Sequence, residues 1–205
     1  MDILTDLTPA QQEAVTHTEG PLLVLAGAGS GKTRVITRRI AYLMGQGVPA
    51  RHILAITFTN KAAGEMRERT EALLPGVRPP TVATFHSFCA RMLRQYADLV
   101  DLDPHFTIYN ADDQQAAVKR ALLRLNLDPT HFDPRGCATA ISRAKNRLQR
   151  ARDFRPPGGS DFRARHLREI YEAYEAILKA SGALDFDDLL LETALGLRHS
   201  EAFRE

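Results

Sequence analysis

The 205-residue chain has no tryptophan, only two cysteines, and no marked excess of charge of either sign, since 27 Lys and Arg stand against 25 Asp and Glu. Each shortage excludes something. Cys89 and Cys137 are far apart and form no Cys-x-x-Cys pair, which excludes a disulfide-stapled scaffold and a zinc knuckle. A reducing compartment, the cytoplasm by default, fits that usage. The net charge of +2 argues neither for nor against a polyanionic partner, so the distribution of charge must decide. No run approaches the ~20 apolar residues of a membrane span, and residues 1–9 carry Asp2 and Asp6 where a secretion signal would be basic and then apolar. Thirteen glycines and 11 prolines are too few for a collagen-like or disordered chain. What remains is a soluble, globular composition of one large or two small domains, long enough to bury a core.

Alternating signals fill the first half. Leu22–Ala26 is a short apolar run between Gly20-Pro21 and a glycine-rich turn, and predicts a buried strand. A helix follows from Lys32 to Met44, with Val35, Ile36, Ile40 and Leu43 apolar and Gly45 expected as its left-handed cap. Ile53–Phe58 predicts a second strand and 60–74 a helix, with Ala63, Met66, Thr70 and Leu73 on one side. Thr81–Thr84 predicts a third strand, leading into a helix bearing Cys89, Met92, Leu93 and Tyr96. This alternation predicts an α/β parallel sheet over residues 1–109. Helix signals alone are expected over 110–182: Val118, Ala121, Leu122 and Leu125; Cys137, Ile141, Ala144 and Leu148; Leu167, Ile170, Tyr171, Tyr174, Ile177 and Leu178. The Arg155-Pro-Pro-Gly-Gly-Ser160 stretch separates the second and third of these helices. A last helix is expected from about Asp185 to Leu197, within a segment 183–205 that returns to the first domain.

The strongest chemical signal is Ala26-Gly27-Ala28-Gly29-Ser30-Gly31-Lys32-Thr33, placed between a predicted strand and a predicted helix. Glycines let successive backbone N–H groups turn toward phosphate oxygens, and the helix N-terminus adds its positive end. Lys32 is placed to reach the β and γ phosphates of ATP and Thr33 to hold Mg²⁺. Ala26 stands where the usual pattern has glycine, while the inner glycines remain. Upstream, Thr8, Pro9 and Gln11 fit a capping box, and local chemistry alone gives Gln11 no further task. The second strand ends in Thr57-Phe58-Thr59-Asn60-Lys61 and the third in Thr84-Phe85-His86-Ser87, at the sheet edge where open α/β folds bind ligands. Phe58 as core and Lys61 as solvated helix start is one reading. An aromatic stacking on a base, with phosphate-holding neighbours, is the other.

Taken together these segments resemble the superfamily 1A DNA helicases of the UvrD/PcrA/Rep group. Leu7–Val15 resembles the family's Q motif, 26–33 its motif I, 56–66 its motif Ia, 84–87 its motif Ib and 184–189 its motif Id. The resemblance implies an incomplete RecA-like P-loop NTPase sheet with an inserted all-helical subdomain. It implies that Gln11 reads the adenine edge, that Arg34 stacks on adenine, and that Phe58, Thr59, Asn60, Lys61, Thr84 and His86 lie on single-stranded DNA. It further implies 3′ to 5′ movement on single-stranded and forked DNA, in repair or replication, with a second motor domain as partner.

The predicted insert adds a charge argument. Between Arg135 and Arg155, seven basic residues face the single acid Asp153, a local charge of +6. Arg143, Arg147 and Arg150 fall at helical spacing opposite Ile141, Ala144 and Leu148, a stripe suited to DNA phosphates. No apolar strand ending in Asp-Glu is found, and Asp185, Asp187 and Asp188 read better as acids at a helix start. The expectation is therefore an N-terminal helicase portion, inactive and marginally folded alone, with unpaired sheet edges. Two alternatives stand beside it: a non-catalytic ATP- and DNA-binding module, and a P-loop kinase whose helical segment closes over a small substrate.

Overall fold

The structure, a computed structural model, describes residues 3–155 and 162–204. It divides into two compact units, at residues 85 and 86. The first opens with α1 (Pro9–Thr16), whose N-cap Thr8 forms a reciprocal capping box with Gln11 and whose first turn holds Pro9. Then follow α2 (Lys32–Gly45), β1 (Leu54–Thr57), α3 (Asn60–Leu73) and β2 (Thr81–Thr84). β1 and β2 are parallel, with Leu54 opposite Thr81 and Thr57 opposite Thr84, and α3 is their crossover. Its Ala63 and Met66 bury against Ile40, Ile53, Ala55 and Val82, while Leu7, Ala14, Val15 and Val35 close a second cluster under α1. The periodicity expected for α3 holds at Ala63, Met66 and Thr70.

Three expectations change in this unit. Leu22–Ala26 forms no strand and is not buried; Leu23 and Leu25 are 82% and 87% exposed. An apolar strand is buried only between neighbours, and the two-stranded β1–β2 sheet pairs nothing with this segment. The strand at 53–58 is shorter, Leu54–Thr57, and leaves Phe58 outside the ladder. Gly45 is the last helical residue of α2, and the left-handed position falls at Gly47, φ 91°, where the Gly47 amide closes onto the Met44 carbonyl.

The second unit contains α4 (Phe85–Gln95, its first residue in the other unit), β3 (Thr107–Tyr109), α5 (Ala111–Arg124), α6 (Pro134–Lys145), α7 (Phe162–Ala180), β4 (Ala183–Asp185), α8 (Phe186–His199) and α9 (Glu201–Arg204). Val118, Ala121 and Leu122 of α5, Cys137, Ile141 and Ala144 of α6, and Ile170, Tyr171, Tyr174, Ile177 and Leu178 of α7 make one core. Fully buried members such as Ile141 and Ile177 contribute about 1.5–3 kcal/mol each in transfer free energy. Both cysteines are free and buried, and burial pushes both thiols above their ordinary pKa.

Strands do not stop at residue 109. β3 and β4 pair in parallel, Thr107 with Ala183 through Tyr109 with Asp185. Three residues are too few to show a period of two, so the buried strand at Ala183–Asp185 carries no signal in the sequence. By packing, the second unit begins at His86. Cys89, Ala90 and Leu93 of α4 bury with Phe106, Leu184, Leu189 and Phe203, which ties α4 and β3 to the mainly helical unit. Leu148, expected on the inner face of a helix, lies beyond the end of α6 with φ 56° and is exposed. Apart from Arg155, the expected break at 155–160 lies outside the described residues. Among the described residues no helix is long and apolar enough to cross a membrane.

Candidate nucleotide and nucleic-acid sites

The glycine loop runs directly into α2. Gly31 is its N-cap at φ 85°, and Gly29 also has positive φ, 75°. No side chain caps α2, so its first amides are free of any capping oxygen and point at whatever occupies the loop. Ser30 donates its hydroxyl to the Gly27 carbonyl at 2.8 Å. Lys32 folds back over the loop, its Nζ 2.6 Å from the Gly27 carbonyl oxygen and 3.1 Å from that of Ala26. An ammonium thus stands over the cradle, satisfied by loop carbonyls that a phosphate would replace. The residues fit a polyphosphate: amides and Lys32 for its oxygens, and the Thr33 hydroxyl as one ligand for a magnesium ion.

Gln11 closes the capping box and also reaches the glycine loop. Its Oε1 accepts from the Thr8 amide at 3.0 Å, closing the capping box, while its Nε2 donates to the Ser30 carbonyl at 3.1 Å. α1 is thereby bonded to the loop. Gly31 is favoured by its positive φ, and a Cβ there would also lie 3.1 Å from that Nε2, close enough to push on the Gln11 amide. Arg34 is exposed beside the loop, with only a 3.8 Å ion pair to the exposed Asp6, an interaction worth little.

At the carboxyl ends of the strands, Phe58 is 91% exposed and stands 5.8 Å, centroid to centroid, from Phe85. A phenyl ring so placed between the end of β1 and the start of α3 has no core to serve. Asn60 and Lys61 are exposed in the first turn of α3. The Thr59 hydroxyl caps α3, accepting from the Ala62 amide at 3.1 Å, and Thr84 is buried as the last residue of β2. In the other unit His86 is exposed and meets Phe186 edge-on, 5.5 Å between centroids at 76°.

The arginine stripe does not survive as one helix face. α6 ends at Lys145, so Arg147 and Arg150 lie past it. Arg143 and Arg147 are exposed, but Arg150 is engaged by Glu192 at 2.6 Å. Lys145, counted among the surface charges, is wholly buried. Its Nζ lies 2.7 Å from Asp185 and 2.6 Å from Asp188, so that two of the seven basic groups are neutralised internally. Asp185 caps α8 and accepts from the Tyr174 hydroxyl at 2.6 Å and the Gln114 amide at 3.2 Å.

Burial opposes ionisation in this node, and the fixed charges decide the outcome. At Asp185 the Lys145 ammonium and the donated hydrogen bonds outweigh burial and lower the pKa. At Lys145 burial is outweighed by Asp188 and Asp185, and its pKa rises. Asp188 carries the surplus: burial, helped by the Asp185 charge, pushes it to about 7 against the pull of Lys145. A raised carboxyl pKa stabilises the fold below the unfolded value, near 4, and that contribution is lost as pH rises through about 7. The stability advantage of wild type over Asp188→Asn is therefore expected to fall by on the order of 2 kcal/mol between pH 5 and 8, read from denaturant titrations at each pH.

The sequence reading missed Phe186 and Lys145. Phe186 sits in an acidic run where it looks like the first apolar residue of a helix, yet it is 50% exposed. The one available signal for Lys145 was its position next to the apolar Ala144 on the inner side of α6.

The chain is thus an α/β protein in which a lysine-bearing glycine loop opens a helix and exposed aromatics stand at a strand end and at helix starts, followed by a mainly helical unit. A family model described as the UvrD/REP helicase N-terminal domain matches residues 7–205, and the chain belongs to that family. It is 47% identical over 193 residues to a Bacillus subtilis protein named ATP-dependent DNA helicase PcrA, which covers 93% of this chain and 26% of that protein. Proteins of the same name from Staphylococcus epidermidis and Staphylococcus aureus are 44% identical over 194 residues, with the same coverage. The chain spans about a quarter of the length of these relatives.

Proposed function

We propose that these residues form the ATP- and DNA-binding N-terminal part of an ATP-dependent DNA helicase. The observation that carries this is the pairing, within one unit, of the uncapped glycine loop bearing Lys32 with an exposed phenyl ring, Phe58, at the end of a parallel strand. The loop amides and Lys32 bind and orient the triphosphate, Thr33 holds Mg²⁺, Gln11 reads the adenine edge and Arg34 covers its face. Bound Mg²⁺ supplies charge neutralisation at the phosphates. Phe58 stacks on a base, with Asn60 and Lys61 on the neighbouring phosphates. Phe186 and His86 offer a second aromatic contact, and Arg143 and Arg147 a phosphate-binding surface on the helical unit, facing duplex at a fork. In this reading the parallel β1 and β2 belong to a RecA-like sheet, and nucleotide turnover with a second motor domain drives 3′ to 5′ movement in DNA repair or replication.

A non-catalytic binding module is the second reading. One observation favours it: Asp185 and Asp188, the nearest sequence candidates for a catalytic acid, are consumed by Lys145. ATP hydrolysis by the full-length protein, with and without single-stranded DNA, separates the two. DNA-stimulated turnover supports the helicase, and binding of both ligands without turnover supports the module. In the same protein Phe58→Ala is expected to weaken single-stranded DNA binding about 5- to 150-fold by fluorescence anisotropy, the loss of one stacked base. Unchanged affinity would remove Phe58 from the DNA site.

A further inference from the structure

The turn Asp185–Asp188 is held from several directions at once. Asp185 and Asp188 cap each other across the start of α8, each accepting the other's amide, at 2.8 and 3.0 Å. Lys145 at the end of α6 reaches both carboxylates, Tyr174 of α7 and Gln114 of α5 reach Asp185, and Asn146 donates to Asp187 at 3.1 Å. Asp185 and Asp188 are tied inward by their side chains, and Asp187 is held at the surface by Asn146. Phe186 alone is left half exposed, edge-on to His86.

Starting a helix does not need this much. The capping box by itself satisfies the amides of Asp185 and Asp188, and does so without a lysine. Burying an ammonium with two carboxylates costs desolvation that an apolar set would avoid, and what such a node adds is a fixed position. The residues flanking Lys145 sharpen the point. Arg143 and Arg147 are exposed, so one helix end joins a basic surface to the turn that carries Phe186.

We propose that Lys145 is a positioning residue for single-stranded DNA binding: by clamping Asp185 and Asp188 it fixes the start of α8 so that Phe186, braced by His86, is presented to a base. The proposal rests on the DNA-binding reading above and adds to it the device that holds the aromatic in place. Lys145 touches no DNA itself.

The test is a double-mutant cycle on the full-length protein, read as affinity for a labelled oligothymidylate. Lys145→Met alone strands two buried carboxylates, so it is combined with Asp185→Asn, which keeps an N-capping side chain and removes one charge. Asn146→Ala, which loses the exposed bonds to Asp187 and to Ser142, is the second variant and leaves the core untouched. Lys145→Met with Asp185→Asn is expected to weaken binding about 5- to 10-fold, and Asn146→Ala about 2- to 3-fold. In a Phe186→Ala background both losses are expected to shrink below about 2-fold, because the group being positioned is gone. A merely structural role predicts equal losses in both backgrounds, and that result overturns the proposal, as does unchanged affinity of both variants in the wild-type background. If Phe58→Ala and Phe186→Ala both leave affinity unchanged, the DNA-binding reading fails and the proposal falls with it. If they weaken binding and the Lys145 and Asn146 variants do not, the positioning role alone fails.

Discussion

Lys145→Met is expected to destabilise the mainly helical unit by about 3–5 kcal/mol, measured as a lowered midpoint in urea denaturation at unchanged slope. The physical reason is not the loss of a favourable pair but what the pair leaves behind. With the ammonium gone, Asp185 and Asp188 share one buried turn, both hydrogen-bonded as acceptors, with no counter-charge. Methionine fills the space of the lysine stem, so the cavity contribution is small and the electrostatic one is isolated. Adding Asp185→Asn should recover at least half of the loss, since asparagine keeps the cap and leaves Asp188, which burial already makes hard to ionise, as the one acid of the node. A loss under 1 kcal/mol for Lys145→Met would mean that water reaches the node and solvates both carboxylates.

The same node explains where the sequence was readable and where it was not. Local signals worked where the cause is local. The capping box at Thr8 and Gln11, the crossover α3 with Ala63, Met66 and Thr70 inward, and β2 over Thr81–Thr84 follow from spacing and cap chemistry alone, and all three stand in the structure. Long-range effects were invisible. Whether Leu22–Ala26 is buried depends on strands that pair with it, and whether Lys145 is a surface charge depends on Asp185, forty residues away. Helical spacing placed Arg143, Arg147 and Arg150 on one stripe, but spacing holds only while the helix lasts, and α6 ends at Lys145. The glycine loop was the most legible part of the site because its chemistry lies within one contiguous segment. Phe186 was the least, because an exposed aromatic and a buried one look alike in a string of letters.

Lys32→Ala is expected to reduce ATP hydrolysis by the full-length protein about 10²- to 10³-fold, measured as steady-state turnover with saturating single-stranded DNA. Removing one preorganised charged donor from a phosphoryl-transfer site carries an effect of that size, because the developing charge on the equatorial oxygens loses its closest cation. Lys32 has a second task that sets this variant apart. Its bonds to the Ala26 and Gly27 carbonyls hold the loop when no phosphate is there, so the alanine variant should also show faster amide hydrogen exchange across 26–31 without nucleotide. Gly31→Ala provides the contrast. Its methyl group would press on the Gln11 amide and occupy a left-handed position that costs roughly 1–2 kcal/mol, while Lys32 stays in place. That change should raise KM for ATP more than it lowers kcat, because it disturbs the contact between α1 and the loop, whereas Lys32→Ala should act mainly on kcat. If Lys32→Ala left turnover within about 3-fold of wild type, the loop would not be a catalytic phosphate site and the motor reading would lose its main support.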